Sequence, residues 1–286
     1  MAVSRWLTLL KTALKGGQVF PLEYSVRLMP RYGHGLPAHP LLLKIINQNR
    51  SAYQARLQEA LRFQKELIQI PDQKSNPDSK SPGWNNGFLP GLDMVMLYSI
   101  LATTKPALYL EIGSGNSTKV AYKSKTDQHL STKIISIDPA PRAEIDRLVD
   151  QVIRTPFEET DKSVFTSLAS GDIVFVDNSH RVLPNSDAMV FFMEVLPMLP
   201  PGVIVQIHDV YLPYDYPQFM AERYYSEQYM LAAFLMANPD RYEVMMPNYF
   251  VSEDPELRQI LEPLWTASSM PPVERHGGSF WFKIAG

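Results

Sequence analysis

The chain of 286 residues contains no cysteine. That excludes a disulfide framework, a thiolate metal site and a cysteine nucleophile, and it leaves chemistry to histidine, carboxylates and hydroxyls. Also missing is any apolar stretch of the roughly 18 to 20 residues that would span a bilayer. The N-terminus lacks the long apolar core and small-residue cleavage site of a secretion signal, so a cytoplasmic address is expected. No basic run with interleaved aromatics occurs, which argues against nucleic acid as a partner. The 45% hydrophobic content is ordinary for a globular chain with a sizeable core.

The net charge of -3 hides an asymmetry. Residues 1–70 carry ten Lys and Arg against Glu23, Glu59 and Glu66, so this quarter is +7 and the remainder is -10. Such a split suggests two modules, or a basic surface that meets an acidic partner or an anionic membrane. Val3, Trp6, Leu7, Leu10 and Leu14 recur at helical spacing with Arg5, Lys11 and Lys15 between them, and Gly16-Gly17 ends the pattern. This short basic amphipathic helix is suited either to peripheral membrane contact or to packing on its own domain. A second helix is expected from Pro40 to Ile70, with Ile46, Tyr53, Leu57, Leu61 and Ile68 on one side, as a structural or homo-oligomerising element.

Residues 71–91 are rich in Pro, Ser, Asn, Asp and Gly without an apolar period, which reads as a linker. The expected division is an N-terminal helical extension with linker over 1–83 and a main domain over 84–286. In the main domain "ALYLEIG", "KIISID", "QVIR", "DIVFVD" and "GVIVQIHD" alternate with helix-length segments. That alternation predicts a doubly wound α/β fold around a mostly parallel sheet. Two further strands are expected in "YEVMMPNYF" and "GSFWFKIA", separated by a helical segment near 254–267.

Ligands of such sheets bind where strands stop, beside the point of reversed strand order. The first stop, "YLEIGSGNSTKVA", places Gly113 and Gly115 in a tight turn, with Ser114 between them and Ser117-Thr118 opening a helix. Thr118 stands where a dinucleotide loop has its third glycine, and Glu111 would repel a pyrophosphate but attract an ammonium or sulfonium. Both residues argue against a nicotinamide oxidoreductase. The second stop places Asp138 twenty-five residues after Gly113, a spacing that suits a carboxylate accepting ribose hydroxyls.

On these residues the chain resembles the class I S-adenosylmethionine-dependent methyltransferases. "LEIGSGNST" looks like their first motif, Asp138 like their ribose-binding acid, and "DIVFVDNSHR" and "PPGVIVQIHDVYLP" like their fourth- and fifth-strand segments. The closing strand pair looks like the antiparallel pair that ends their seven-stranded sheet. Within that class the chain looks most like bacterial small-molecule O-methyltransferases related to the metal-dependent sugar and catechol type. The resemblance covers roughly residues 90–286 and implies S-adenosylmethionine as cofactor, bound through Glu111, Gly113, Ser114, Gly115, Ser117 and Asp138, with Asp177 nearby.

Methyl transfer to a hydroxyl requires a positioned base or a metal ion that acidifies the hydroxyl. Asp177, His208 and Asp209 end two strands expected to be neighbours, so both routes stay open. The resemblance implies that metal-dependent relatives place one acid after the fourth strand and an Asp-Asp, Glu-Asp or Asp-Asn pair after the fifth, an oxygen set suited to Mg²⁺. His208 departs from that pattern, favouring Mn²⁺, Fe²⁺ or Zn²⁺ over Mg²⁺ if a metal binds and a general base if none does. His180 is a second base or substrate contact, whereas His34, His39, His129 and His276 join no constellation. Arg181, Tyr211, Tyr214, Tyr216, Arg223, Tyr224 and Trp84 are candidate walls for a small-molecule acceptor, the tyrosines forming either a lid or an aromatic stripe packed on the sheet. A third possibility is a methyltransferase-like fold that serves as a scaffold or runs another reaction at a metal.

Overall fold

A computed structural model describes residues 11, 14, 22–76, 78 and 80–286. The amphipathic pattern over 3–15 and its expected membrane contact lie outside the described residues, apart from Lys11 and Leu14.

The β-branched runs form a seven-stranded sheet of β1 (Leu108–Ile112), β2 (Lys133–Ile137), β3 (Gln151–Ile153), β4 (Ile173–Val176), β5 (Ile204–Ile207), β6 (Tyr242–Pro247) and β7 (Phe280–Ile284). All residues of β1, β4 and β5 are buried, including Glu111 and Gln206, because helices cover both faces of a parallel sheet. The order is β3-β2-β1-β4-β5-β7-β6. β1 through β5 run parallel, while β7 inserts antiparallel between β5 and β6. This is the doubly wound, Rossmann-like arrangement expected from the alternation, with the antiparallel pair at its end.

Strand order reverses between β1 and β4, so the loops after these two strands flank the crevice that such sheets offer to ligands. Gly113 makes their close approach feasible. Its φ is +78°, and a Cβ there would lie 1.9 Å from the Asp177 carbonyl oxygen. No other residue fits that position without moving one strand end.

The helix expected over Pro40–Ile70 is broken into pieces, with α-helices at Pro40–Asn47, Arg50–Ala60 and Gln64–Leu67. Asn49 leaves helical geometry, and its side-chain amide donates to the Val244 carbonyl at 2.9 Å, tying the break to β6. Leu42, Ile46, Tyr53 and Leu57 share one apolar core with the sheet. Residues 71–91 are also fastened. Trp84 exchanges backbone hydrogen bonds with Pro71 and Gln73, and Gly91 donates to the Glu274 carbonyl at 2.8 Å. Trp84 is fully buried, edge-on to Trp265, so it offers no face to an acceptor and is corrected to a core residue. The strand expected through Phe250 stops at Pro247, where a helix begins at Asn248–Glu253.

Candidate active site

On the β1 side the glycine turn leads into the helix Asn116–Asp127. The Thr118 hydroxyl accepts from the Gly115 backbone N–H at 3.0 Å and donates to Glu111 Oε2. The Tyr109 hydroxyl donates to Glu111 Oε1 at 3.2 Å. Glu111 is therefore fully buried, fastening the strand to the helix start. Burial pushes its carboxyl up to about 7, against the pull of the Ser117, Thr118 and Ser114 hydroxyls. Both Glu111 oxygens are bonded to hydroxyls of its own strand and loop. The work of Thr118, which sequence comparison marks only as the missing third glycine, is to hold this acid.

Asp138 Oδ2 accepts from the Ser114 backbone N–H, and Oδ1 from that of Ala140, both at 2.8 Å. A carboxylate has about four acceptor sites, so two remain for a ligand. Ser114 Oγ lies 2.8 Å from Ser136 Oγ, and Ser117 is buried at the helix start. Beside Gly115 the space is open, with nothing within 4 Å of where a Cβ would stand. The loop therefore has the room and the free acceptors that a ribose-bearing ligand needs.

On the β4–β5 side Asp177, His180, His208 and Asp209 converge. His208 Nδ1 lies 3.5 Å from Asp177 Oδ1 and 3.6 Å from Asp209 Oδ1. Its Nε2 lies 3.3 Å from Asp93 Oδ2. His180 Nε2 lies 3.4 Å from Asp177 Oδ1 and 3.5 Å from Asp209 Oδ2, while its Nδ1 is 2.5 Å from Glu227 Oε1. Two imidazoles thus face four carboxylates, and one oxygen of Asp177 lies between them. Asp93 is itself held by Asn248 and by the backbone N–H groups of Gly278 and Ser279.

Burial alone would lower both imidazole pKa values, but the carboxylates win. Glu227, then Asp177 and Asp209, raise His180 to about 9, and Asp209 and Asp177 hold His208 well above its ordinary value. Burial alone would raise Asp177, yet the two histidines keep it below the usual carboxylate range. Both imidazole pKa values are thus held above their ordinary range. His208 is 5% exposed at its side chain, whereas Asp177, 38% exposed, is the more accessible acceptor.

Among the described residues no group of three or more His, Asp or Glu is arranged to hold a metal ion. The expected ligand set Asp177, His208 and Asp209 lies within an ion-pair network. Asp93 is the residue that sequence reasoning missed. Its signal was a lone carboxylate in the otherwise apolar helix Gly91–Thr104.

The tyrosines divide. Tyr211, Tyr216, Met220 and Tyr225 form a small buried cluster, and the fully buried Tyr216 hydroxyl accepts from the Gln228 backbone N–H at 3.2 Å. Tyr216 is thus corrected to packing. Tyr211 retains 8% exposure, Tyr214 is half-buried against Gly33, and Tyr224 is exposed. Chain 28–39 covers this loop. Asp215 Oδ2 accepts from the backbone of Arg31 and Tyr32, His34 Nε2 lies 2.9 Å from the Asp215 carbonyl oxygen, and His39 donates from its backbone to Pro213. Arg181 and Arg223 flank Tyr225, with guanidinium carbons 5.4 and 4.7 Å from the ring centroid. Cavities of about 420 Å³ beside Leu57 and Trp265 and about 480 Å³ beside Ile153 and Thr160 are lined by none of these strand-end residues.

Residues 110–210 match a family model described as a methyltransferase domain, a span from within β1 to just beyond Asp209 that contains Glu111, Asp138, Asp177, His180 and His208 but not Asp93 or Glu227. The chain resembles the class I S-adenosylmethionine-dependent methyltransferases, as its first motif led one to expect. Among solved structures it is similar to an S-adenosylhomocysteine-bound methyltransferase from Podospora anserina, at 14% identity over 94% of this chain and 100% of that one, with a TM-score of 0.42. An O-methyltransferase from Bacillus cereus in complex with S-adenosylhomocysteine matches at 14% identity over 88% and 94%, with a TM-score of 0.38. The plantazolicin methyltransferase in complex with S-adenosylhomocysteine matches at 13% over 87% and 100%, with a TM-score of 0.43. No curated protein matches the chain. No helix among the described residues is long and apolar enough to cross a membrane.

Proposed function

We propose that the chain is an S-adenosylmethionine-dependent methyltransferase acting on a hydroxyl of a small molecule, a sugar or an aromatic compound. The observation that carries this reading is the pairing, across the β1–β4 crevice, of an open glycine turn and Asp138 with the accessible carboxylate of Asp177. When bound, S-adenosylmethionine supplies a methyl group on a sulfonium, an electrophile displaced in line by an oxygen lone pair. Asp138 would accept from ribose hydroxyls, and Gly115 leaves room for close approach of the loop backbone.

Asp177 would accept the hydrogen bond of the acceptor hydroxyl and then its proton. A carboxylate of lowered basicity suffices, because the hydroxyl oxygen becomes strongly acidic as its new bond to carbon forms. His180 and His208 hold Asp177 ionised and in place, with Asp209 beside them.

Calorimetry tests the reading. S-adenosylhomocysteine should bind the pure protein with a dissociation constant in the micromolar range, whereas NAD should give no heat. Methyl transfer from labelled cofactor to a panel of hydroxylated sugars and aromatics should persist in EDTA. Absence of S-adenosylhomocysteine binding would sink the proposal.

A further inference from the structure

Beyond the strand ends stands a pair of cations to which the proposed transfer gives no work. Arg181 follows His180 directly, and Arg223 lies two residues before Tyr225. The Tyr225 ring stacks on the His180 ring at 4.6 Å between centroids and 29° between planes, and His180 Nε2 lies 3.4 Å from Asp177, so two rings separate the arginines from the carboxylate that would take the proton. Tyr225 itself is only 6% exposed.

Neither guanidinium has a carboxylate within ion-pair distance among the described residues. Arg181 donates from Nε to the Arg223 carbonyl at 2.9 Å and from Nη1 to the Ser179 carbonyl at 3.2 Å. Those two bonds fix its plane and leave Nη2 without a hydrogen-bond partner among the described residues. Arg223 is exposed. The nearby carboxylates Asp177, Asp209 and Glu227 are engaged by histidines. Two like charges held beside one ring, oriented by backbone carbonyls and lacking an internal counter-charge, match what a planar oxyanion requires of its receptor.

We infer that Arg181 and Arg223 recognise an oxyanion on the methyl acceptor, which makes the acceptor a hydroxylated small molecule that also bears a carboxylate or a phosphate. This rests on the methyltransferase reading and adds the charge class of its substrate. The anion docks on the arginine pair, and the hydroxyl to be methylated is set over Asp177.

The test uses the whole chain saturated with S-adenosylhomocysteine and two matched probe pairs, 3,4-dihydroxybenzoate against catechol and glucose 6-phosphate against glucose. At least one anionic member should bind about tenfold or more tightly than its neutral partner, a preference that shrinks as salt rises. Which pair shows it distinguishes carboxylate from phosphate. In the R181Q/R223Q double variant the anionic probe should fall to the affinity of its neutral partner, while the neutral affinity, the S-adenosylhomocysteine affinity and the melting temperature stay put. Equal affinities in the unaltered protein, no binding of either anionic probe, or equal weakening of both members of a pair in the variant would overturn the inference. Failure of S-adenosylhomocysteine to bind at all would instead remove the methyltransferase reading beneath it.

Discussion

The two halves of the strand-end line treat their carboxylates differently. On the β1–β2 side Glu111 and Asp138 are held by uncharged donors: the Thr118 and Tyr109 hydroxyls and the backbone N–H groups of Ser114 and Ala140. On the β4–β5 side Asp177, Asp209 and Glu227 face the imidazoles of His180 and His208, and Asp93, bonded by Asn248 and the backbone of Gly278 and Ser279, faces His208. Neutral donors fix Glu111 and Asp138 in position without adding charge, whereas the imidazoles on the other side hold Asp177 below the usual carboxylate range. The same residue type is thus set to two tasks by its partners.

Gly113→Ala should break both halves at once, since the added methyl meets the Asp177 carbonyl and the left-handed backbone disfavours it. A loss of about 3 kcal/mol or more of stability is expected in urea titrations, with S-adenosylhomocysteine binding abolished. His208→Gln should separate the halves. Methyl transfer should fall by roughly 10²-fold or more, while S-adenosylhomocysteine binding measured by calorimetry changes less than threefold. A parallel loss of cofactor affinity would contradict the division.

The smallest effect is a pH dependence with two windows. Both Glu111 and His180 have folded pKa values above their ordinary ones, so each binds protons more tightly in the folded state and stability falls as pH rises. The Glu111 contribution is full below about 4.5 and is lost as pH passes about 7. That of His180 is full below about 6.5 and is lost through about 9. Each should amount to at most about 3 kcal/mol in denaturant midpoints taken across the range. His180→Gln should flatten the upper window and spare the lower.

Much of this was legible in the sequence because it is periodic or local. The β-branched runs that end in Glu111, Asp138, Asp177 and His208 announced the strands, and the Gly113–Gly115 spacing announced the turn. The break at Asn49 and the insertion of β7 between β5 and β6 were not legible, since both depend on contacts far along the chain, such as Asn49 with Val244. The role of Asp93 was hidden for the same reason: it meets His208, 115 residues away in sequence, through helix placement alone. His208 shows the limit at the level of chemistry. Its type and place could be read, but its protonation state is set by carboxylates from three separate elements, which no local motif encodes.

The contact between Gly113 and the Asp177 carbonyl gives the two halves a common datum. In-line displacement tolerates little misalignment between attacking oxygen and departing sulfur. Here the turn that would seat one and the carboxylate that would aim the other are measured from the same point, with no side chain between them to flex. A shift of the turn carries Asp177 with it, so the distance that matters is preserved even when the crevice as a whole moves.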